Sequence, residues 1–296
     1  MWYTVSKPSI MRCSWVTVMT AARRSRAIFR SKAMTLVSRS VSRAAVGSSA
    51  KIRPSSAGLA CWVPCQAKSH VMDASHPTPA WLRIDFVSDI SCPWCAVGLS
   101  GLVQALERLQ PDVQVALQVQ PFELNPHMPP GGQDIGEHLT EKYGSTPQQQ
   151  AQIRETIRER GAAVGFEFNP DGRGRIYNTF DAHRLLHWVG EMHPQYQLAL
   201  KMALLHACHR DRAAMDEPAT LLAAVEAVGL DVASAQAVLA SGDYADEVRA
   251  RESFFTQAGI HSVPAMVVNE KYLISGGQPA AVYEQALREI AAKTAA

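Results

Sequence analysis

The residues of this chain with the clearest chemical potential are the two cysteines of Cys92-Pro93-Trp94-Cys95. The segment 82–87 before them alternates apolar residues as a strand does, and apolar positions after Cys95 recur in steps of three and four, as on a helix face. Two cysteines at this spacing, between a strand and a helix, can close into a small, reducible disulfide. The pattern therefore predicts thiol–disulfide chemistry.

The position of the proline assigns different roles to the two sulfurs. Proline is favoured at the first helical position, so Pro93 makes Cys92 the N-cap residue and places Cys95 one turn inside the helix. The N–H groups of Trp94 or Cys95 could then donate to a Cys92 thiolate, which also faces the positive end of the helix dipole. Both effects favour the charged form of Cys92. We therefore predict that Cys92 attacks the substrate sulfur and that the more buried Cys95 resolves the resulting mixed disulfide.

Metal binding is the main alternative use of such residues. A structural zinc site needs two more ligands at metal spacing, and no second Cys-x-x-Cys is present. His183 and His187 have a four-residue spacing, but no glutamate follows His183 as it would in a zinc protease. We predict no bound metal, and two unrelated core cysteines remain as the other alternative.

The charge of the chain differs sharply between its two parts. Residues 1–72 contain 12 Lys or Arg and no acidic residue, whereas residues 73–296 contain 17 basic and 27 acidic residues. An acidic folded part argues against nucleic acid as a partner. No stretch approaches the ~20 apolar residues of a membrane span. We therefore expect neither nucleic-acid nor membrane partners.

The basic first part has two interpretations. Arg-rich, Ser-rich segments without acidic residues can be organelle transit peptides. We favour a disordered basic extension over residues 1–80, with Met72 as the start of the working protein. Without an export signal we expect a cytoplasmic location, where a lone Cys-x-x-Cys is more often catalytic than structural. An organelle is the alternative if residues 1–72 are a transit peptide.

The periodicity of the remaining chain predicts an α/β fold. Further strands are predicted at 113–119, 265–269 and 272–274, and a last helix starts near 278. Between them the pattern is helical, at 134–143, 147–164, 178–190, 195–210, 217–228, 231–240 and 243–258. Residues 81–132 and 259–296 would form a thioredoxin-like domain, and residues 133–258 a large all-helical insertion.

Five segments in order carry a resemblance to a known family: 88–95, 121–126, 178–184, 259–265 and 275–279. On these segments the chain resembles the DsbA-like thioredoxin proteins. It is most similar to the FrnE-type branch, which shares its fold with 2-hydroxychromene-2-carboxylate isomerases and kappa-class glutathione transferases. The resemblance extends from residue 82 to residue 293.

The resemblance implies a binding surface around the sulfurs. Val263-Pro264 matches the cis-proline loop of the family, in which Pro264 positions the partner beside the catalytic cysteines. The backbone N–H and C=O of Val263 would pair with an extended substrate, as a sheet edge does. Pro93 and Trp94 would also contact the substrate.

Several further residues have two interpretations each. The resemblance implies that Asn178 and His183 line the pocket, while helix capping by Asn178 and core packing by His183 are equally compatible with the pattern. Asp85 could be a buried carboxylate that accepts the proton of Cys95, or an exposed strand residue. Residues 275–277 could present N–H groups to an anion such as a glutathione carboxylate, or form a plain turn.

These observations predict a thiol–disulfide oxidoreductase that acts on protein or small-molecule thiols. Glutathione is the expected co-substrate, with no tightly bound cofactor, and the oligomeric state is predicted as monomer or homodimer. Pro93-Trp94 lacks the histidine of periplasmic DsbA, so strong oxidising power is not implied. The alternative is a glutathione-dependent isomerase or transferase for an aromatic or polyketide molecule, although those branches carry serine in place of Cys92. A redox-sensing or client-binding module is a third, non-enzymatic possibility.

Overall fold

The computed structural model describes residues 11–12 and 79–295. The basic extension predicted for residues 1–80 therefore lies almost entirely outside the described residues. The strands are β1 (Met11–Arg12), β2 (Ala80–Ser88), β3 (Val113–Pro121), β4 (Gln133–Asp134), β5 (Arg175–Ile176), β6 (Ala265–Val268) and β7 (Tyr272–Ser275).

A mixed five-stranded sheet in the order β1-β7-β6-β2-β3 organises the described residues. Strands β2 and β3 are parallel, as the predicted βαβ unit requires, whereas β6 runs antiparallel to both β2 and β7. Strands β4 and β5 form a separate antiparallel ribbon inside the predicted helical region. The sequence analysis missed this ribbon, since a strand of two residues carries no periodic signal.

The helices agree with the predicted ones to within two residues at each end. They are α1 (Pro93–Leu109), α2 (Ile135–Tyr143), α3 (Pro147–Ala163), α4 (Phe180–Met192), α5 (Gln197–His209), α6 (Pro218–Ala227), α7 (Val232–Ala240), α8 (Ala245–Gln257) and α9 (Ala280–Ala295). Local signals explain this agreement. The Thr146 side chain accepts from the Gln149 N–H in a capping box before Pro147, and Asp134 and Asp231 cap α2 and α7.

One core packs α1 and α9 against the sheet. Its members include Leu82, Ile84, Phe86, Leu99, Leu102, Leu109, Tyr283, Leu287 and Ile290. Complete burial of such a side chain contributes about 1.5–3 kcal/mol relative to exposure. This core holds the amino end of α1, and with it the Cys-x-x-Cys segment, against the sheet.

A second core lies among helices α4 to α7 of the insertion. Ile90, from the loop before the cysteines, is a fully buried member of it. Helices α4, α5 and α8 also pack against β3. The thioredoxin-like fold with a large helical insertion is thus confirmed, and the insertion packs against both the sheet and the cysteine loop. Among the described helices, none is long and apolar enough to cross a bilayer.

Candidate active site

The two predicted sulfurs lie at the amino end of α1. Cys92 is 4% exposed, Cys95 is completely buried, and both are thiols in this structure. The Cys92 Sγ donates to the carbonyl oxygen of Val263 at 3.7 Å. The peptide bond between Val263 and Pro264 is cis, as the resemblance implied. Residues separated by 171 positions in the chain are therefore brought into contact around one sulfur.

The hydrogen bonding predicted for Cys92 is different in the structure. Cys92 occupies the N-cap position of α1, but its side chain makes no capping hydrogen bond. The N–H of Cys95 donates instead to the carbonyl oxygen of Cys92 at 3.0 Å. The donation from Trp94 or Cys95 was predicted for a Cys92 thiolate, and for that state it stays a prediction, since in this structure the thiol donates to Val263.

Cys95 has the properties of a resolving thiol. Burial raises the pKa of Cys95 well above its usual range, the Cys92 sulfur raises it further, and Lys201 lowers it. A negative charge on a completely buried sulfur is costly unless a positive charge lies nearby. Cys95 is therefore protonated at neutral pH and must lose its proton before its sulfur can act as a nucleophile.

The turn at residues 275–277 is built into the proline loop. The N–H of Gly276 donates to the Pro264 carbonyl oxygen at 2.8 Å. The Tyr283 hydroxyl donates to the Gly276 carbonyl oxygen at 3.0 Å and accepts from the Gln278 N–H at 3.3 Å. The Gly276 N–H, one of the donors considered for an anion, thus has an internal partner, and the choice between an anion site and a plain turn at residues 275–277 stays open.

Asp89 is the fully buried carboxylate beside the cysteine loop. Its Oδ1 accepts from the Ser91 N–H at 3.0 Å and from the Thr179 hydroxyl at 2.9 Å. Its Oδ2 accepts from the Leu124 N–H at 2.7 Å. Its carbonyl oxygen accepts from the Cys92 N–H at 3.3 Å. Asp89 thus fixes the loop before Cys92 to the segment after β3 and to the start of α4.

The charge of Asp89 is stabilised by its surroundings. Burial alone would raise the pKa of Asp89, but His183 and the N–H groups of Leu124 and Ser91 outweigh it and lower the pKa to about 2. The His183 Nε2 lies 3.5 Å from Oδ1 without hydrogen-bond alignment, so this contact is electrostatic. Asp89 is therefore a carboxylate at neutral pH.

Asp85 is buried, as one of its two interpretations held, but it is already engaged. Its carboxylate accepts from the Gln120 side-chain amide at 2.5 Å and pairs with Arg83 at 3.2 Å. These two partners hold the carboxylate in place, and proton transfer from Cys95 to Asp85 stays a prediction. The carboxylate that contacts the cysteine loop is Asp89.

The Asp89→Asn substitution is expected to lower the free energy of unfolding by about 2 kcal/mol at pH 7. A shift of the Asp89 pKa from 3.8 to about 2 corresponds to this contribution. Because the folded pKa is the lower one, the contribution is complete above about pH 4 and is lost as the pH falls through 2. Urea unfolding of the wild type and of Asp89→Asn between pH 7 and pH 2 measures whether their free energies of unfolding converge as the pH falls.

Asp171→Asn is the matched control, since the Asp171 side chain is 80% exposed. It should change stability by no more than about 0.5 kcal/mol. A pH-independent stability difference between Asp89→Asn and the wild type would contradict the buried-carboxylate assignment.

Arg173 approaches the cysteine loop from the segment before β5. Its Nη1 donates to the carbonyl oxygen of Ser91 at 2.5 Å and to the Ser91 hydroxyl at 3.1 Å, and it lies 4.0 Å from the Cys208 sulfur. Burial and Arg173 lower the pKa of His209 to about 3, so its ring is neutral at pH 7. The Nε2 of this ring contacts the Ile90 carbonyl oxygen at 2.8 Å. The sequence analysis gave Arg173 no role.

Lys201, on α5, is another residue that the sequence analysis missed. It is completely buried, and its Nζ donates to the Ser88 carbonyl oxygen at 3.4 Å. A signal was present in the sequence, because Lys201 lies three, four and seven positions before the buried Leu204, Leu205 and Cys208. A lysine on the apolar face of a helix is unusual.

The predicted substrate contacts fall into two groups. Pro93 and Trp94 are half-buried at the amino end of α1, directly after Cys92 in the chain. The Asn178 side chain instead accepts from the Phe180 N–H at 2.8 Å, which is the capping interpretation. His183 is 1% exposed and pairs with Asp89, so it packs in the interior. Substrate contact by any of these residues stays a prediction.

Comparison with known proteins agrees with this arrangement. A model of the DSBA-like thioredoxin domain matches residues 83–288. A probable DsbA oxidoreductase from Streptomyces coelicolor is 34% identical, with a TM-score of 0.65 over 70% of this chain and 89% of that chain. No curated protein matches the chain in sequence.

Two further solved structures share the fold at low identity. 2-Hydroxychromene-2-carboxylate isomerase is 14% identical, with a TM-score of 0.52 over 72% of this chain and 98% of that chain. The cytosolic disulfide reductase DsbM from Pseudomonas aeruginosa, solved with GSH, is 15% identical, with a TM-score of 0.51 over 70% of this chain and 98% of that chain.

In the described part of the chain, no group of three or more His, Cys, Asp or Glu side chains is arranged to hold a metal ion.

Proposed function

Because this chain belongs to the DSBA-like thioredoxin domain family, we propose that it exchanges a Cys92–Cys95 disulfide with thiols of proteins or small molecules. One observation carries the proposal: the Cys92 sulfur contacts the Val263 carbonyl oxygen at 3.7 Å, while Cys95 lies completely buried one turn inside α1. This is the asymmetry that an attacking and a resolving thiol require.

The exchange follows from this geometry. The Cys92 thiolate attacks a substrate disulfide, and one substrate sulfur leaves as a thiolate. Cys95 then attacks the Cys92 sulfur and releases the second substrate sulfur. The Val263 backbone pairs with an extended substrate segment during both steps, as an exposed strand edge does. Pro264 positions this backbone, and Pro93 and Trp94 border the site.

Glutathione is the proposed small-molecule partner. Its support is the fold shared with DsbM, a cytosolic disulfide reductase whose structure was solved with GSH. The FrnE-type branch is the proposed place within the family, on the motifs at 88–95 and 259–265. A reducing compartment, the cytoplasm, is the proposed location, because a lone Cys-x-x-Cys is more often catalytic there.

The second candidate is a glutathione-dependent isomerase or transferase acting on an aromatic small molecule. Its support is the fold shared with 2-hydroxychromene-2-carboxylate isomerase. Such a reaction needs a single activated thiol, so Cys95 would be dispensable. The two candidates therefore predict opposite results when Cys95 is removed.

The Cys95→Ala substitution is expected to trap the protein as a mixed disulfide. In a single-turnover reaction of the reduced protein with a glutathionylated peptide and no free glutathione, the Cys92–glutathione adduct should persist, whereas the wild type proceeds to the Cys92–Cys95 disulfide. Intact-protein mass spectrometry after an acid quench separates the adduct from the internal disulfide.

Cys208→Ala is the matched control, because Cys208 is also a buried free thiol on the described chain. It should keep wild-type turnover and form no lasting adduct. Failure of Cys95→Ala to accumulate the adduct would contradict the two-thiol mechanism. Glutathione-dependent isomerisation that survives this change would favour the second candidate.

A further inference from the structure

A buried cation lies at the end of the central strand, beneath the cysteine loop. Lys201 is completely buried, and its Nζ donates to the carbonyl oxygen of Ser88, the last residue of β2. This hydrogen bond is 3.4 Å long, a weak one for an ammonium group with three N–H donors. A fully buried lysine is costly unless a negative partner lies close by.

Asp89 is the negative partner of Lys201, and the sulfurs near it influence the lysine when they ionise. Burial lowers the pKa of Lys201, and Cys95, Asp89, Cys92 and, more weakly, Cys208 each raise it. The coupling is mutual, since Lys201 lowers the pKa of Cys95. Cys95 and Asp89 are both completely buried, so little water screens these interactions. Helix α5, which carries Lys201, lies along the segment that leads to the two cysteines, since Lys201 contacts the Ser88 carbonyl oxygen and His209 contacts that of Ile90.

The other ionisable groups near the cysteine loop have partners of their own. Arg173 donates to the carbonyl oxygen and the hydroxyl of Ser91. Asp85 is held by Gln120 and Arg83. Asp89 is itself negative, and His183 is paired with it. His209 is neutral and contacts the Ile90 carbonyl oxygen.

We propose that Lys201 is a positioning residue of the resolving step, whose buried ammonium stabilises the negative charge that develops on the Cys95 sulfur. This inference rests on the proposed thiol–disulfide exchange. In that step the S–H bond of Cys95 breaks, and its proton goes to the departing substrate sulfur. The Cys92–Cys95 bond forms as the bond between Cys92 and the substrate breaks. The Cys95 sulfur is oxidised, the substrate sulfur is reduced, and Lys201 keeps its proton throughout.

Replacement of Lys201 by methionine tests this role, because it removes the charge and preserves an unbranched side chain of similar length. The reduced protein is mixed with glutathione disulfide, and acid-quenched samples are resolved by mass spectrometry into thiol, glutathionylated and internal disulfide forms. At pH 7 the decay of the Cys92–glutathione adduct should slow by about 10- to 100-fold, with a smaller effect on its formation.

The pH profile separates charge stabilisation from a structural role. Adduct decay in Lys201→Met should reach its half-maximal rate at a higher pH than in the wild type, while Lys201→Arg should restore most of the wild-type profile. Arg184→Met is the matched control, since Arg184 is another buried cation, whose guanidinium bonds to carbonyl oxygens of Val238 and Ser241 within the insertion. That control should lower stability and leave the pH profile of adduct decay unchanged.

A Lys201→Met protein with the wild-type rate and pH profile of adduct decay would overturn the role of Lys201 and leave the proposed exchange intact. A wild-type protein that forms no adduct would overturn the proposed exchange instead. If Lys201→Met fails to fold, the ¹⁵N resonance of the Lys201 Nζ in the wild-type protein provides the test. It should shift between the dithiol and disulfide states, and an identical resonance in both would refute the role.

Discussion

Replacing Cys92 by serine is expected to reduce glutathione-coupled turnover of a mixed disulfide to the uncatalysed background. The nucleophile in exchange is a thiolate, and a serine hydroxyl neither ionises near neutral pH nor forms a disulfide. Cys92 is also the sulfur in contact with the proline loop, where the Val263 carbonyl oxygen lies 3.7 Å away. The coupled glutathione reductase assay, with a glutathionylated peptide as substrate, gives the rate.

The fold should survive this change. Serine is close to cysteine in size, and its hydroxyl can donate to the same Val263 oxygen, so we expect urea unfolding to change by less than about 1 kcal/mol. Wild-type-like turnover by Cys92→Ser would rule out the proposed mechanism. Loss of disulfide turnover with retained glutathione-dependent isomerisation would transfer the support to the second candidate.

The Gly277→Ala substitution is expected to reduce both the stability of the protein and its rate of disulfide exchange. A Cβ on Gly277 would lie 2.8 Å from the Trp94 carbonyl oxygen and 3.3 Å from the Gly98 nitrogen. Both are backbone atoms of α1, so the helix must shift relative to the proline loop. Overpacking of this kind costs about 1–3 kcal/mol, and a displacement near 1 Å at reacting groups can cost about 100-fold in rate.

Gly242→Ala provides the matched control. A Cβ at Gly242 would meet no atom within 4 Å, and Gly242 lies before α8 in the insertion. Its urea midpoint and exchange rate should stay close to those of the wild type. Equal stability and turnover for Gly277→Ala and Gly242→Ala would show that the contact between α1 and the turn at 275–277 does not position the cysteines.

Much of the fold could be predicted because its signals are local. Proline at a first helical position and a side-chain cap before it mark the start of α3, at Thr146-Pro147. The alternation of Leu82, Ile84 and Phe86 marks β2, and all three are buried against α1 and α9. Such signals depend on a few neighbouring residues, so they can be recognised in the sequence without knowledge of long-range contacts.

The polar surroundings of the cysteines could not be predicted in the same way. Arg173 reaches Ser91 across 82 positions, and Lys201 reaches Ser88 across 113. Neither side chain belongs to a motif, and the acidic residue first considered, Asp85, proved to be engaged by Arg83. Contacts of this kind depend on how the helical insertion packs against the sheet, which no local pattern encodes.

The sequence by itself determined the elements, the family resemblance and the pair of thiols at a helix start, because periodicity, caps and a Cys-x-x-Cys are properties of neighbouring residues. The resemblance also implied that Val263 lies near those thiols. Only the tertiary structure decided that the Asp89 carboxylate and the Lys201 side chain lie around the cysteine loop as well. The reason is electrostatic. A charge influences a sulfur through distance and burial, and both are created when the insertion closes over the end of β2.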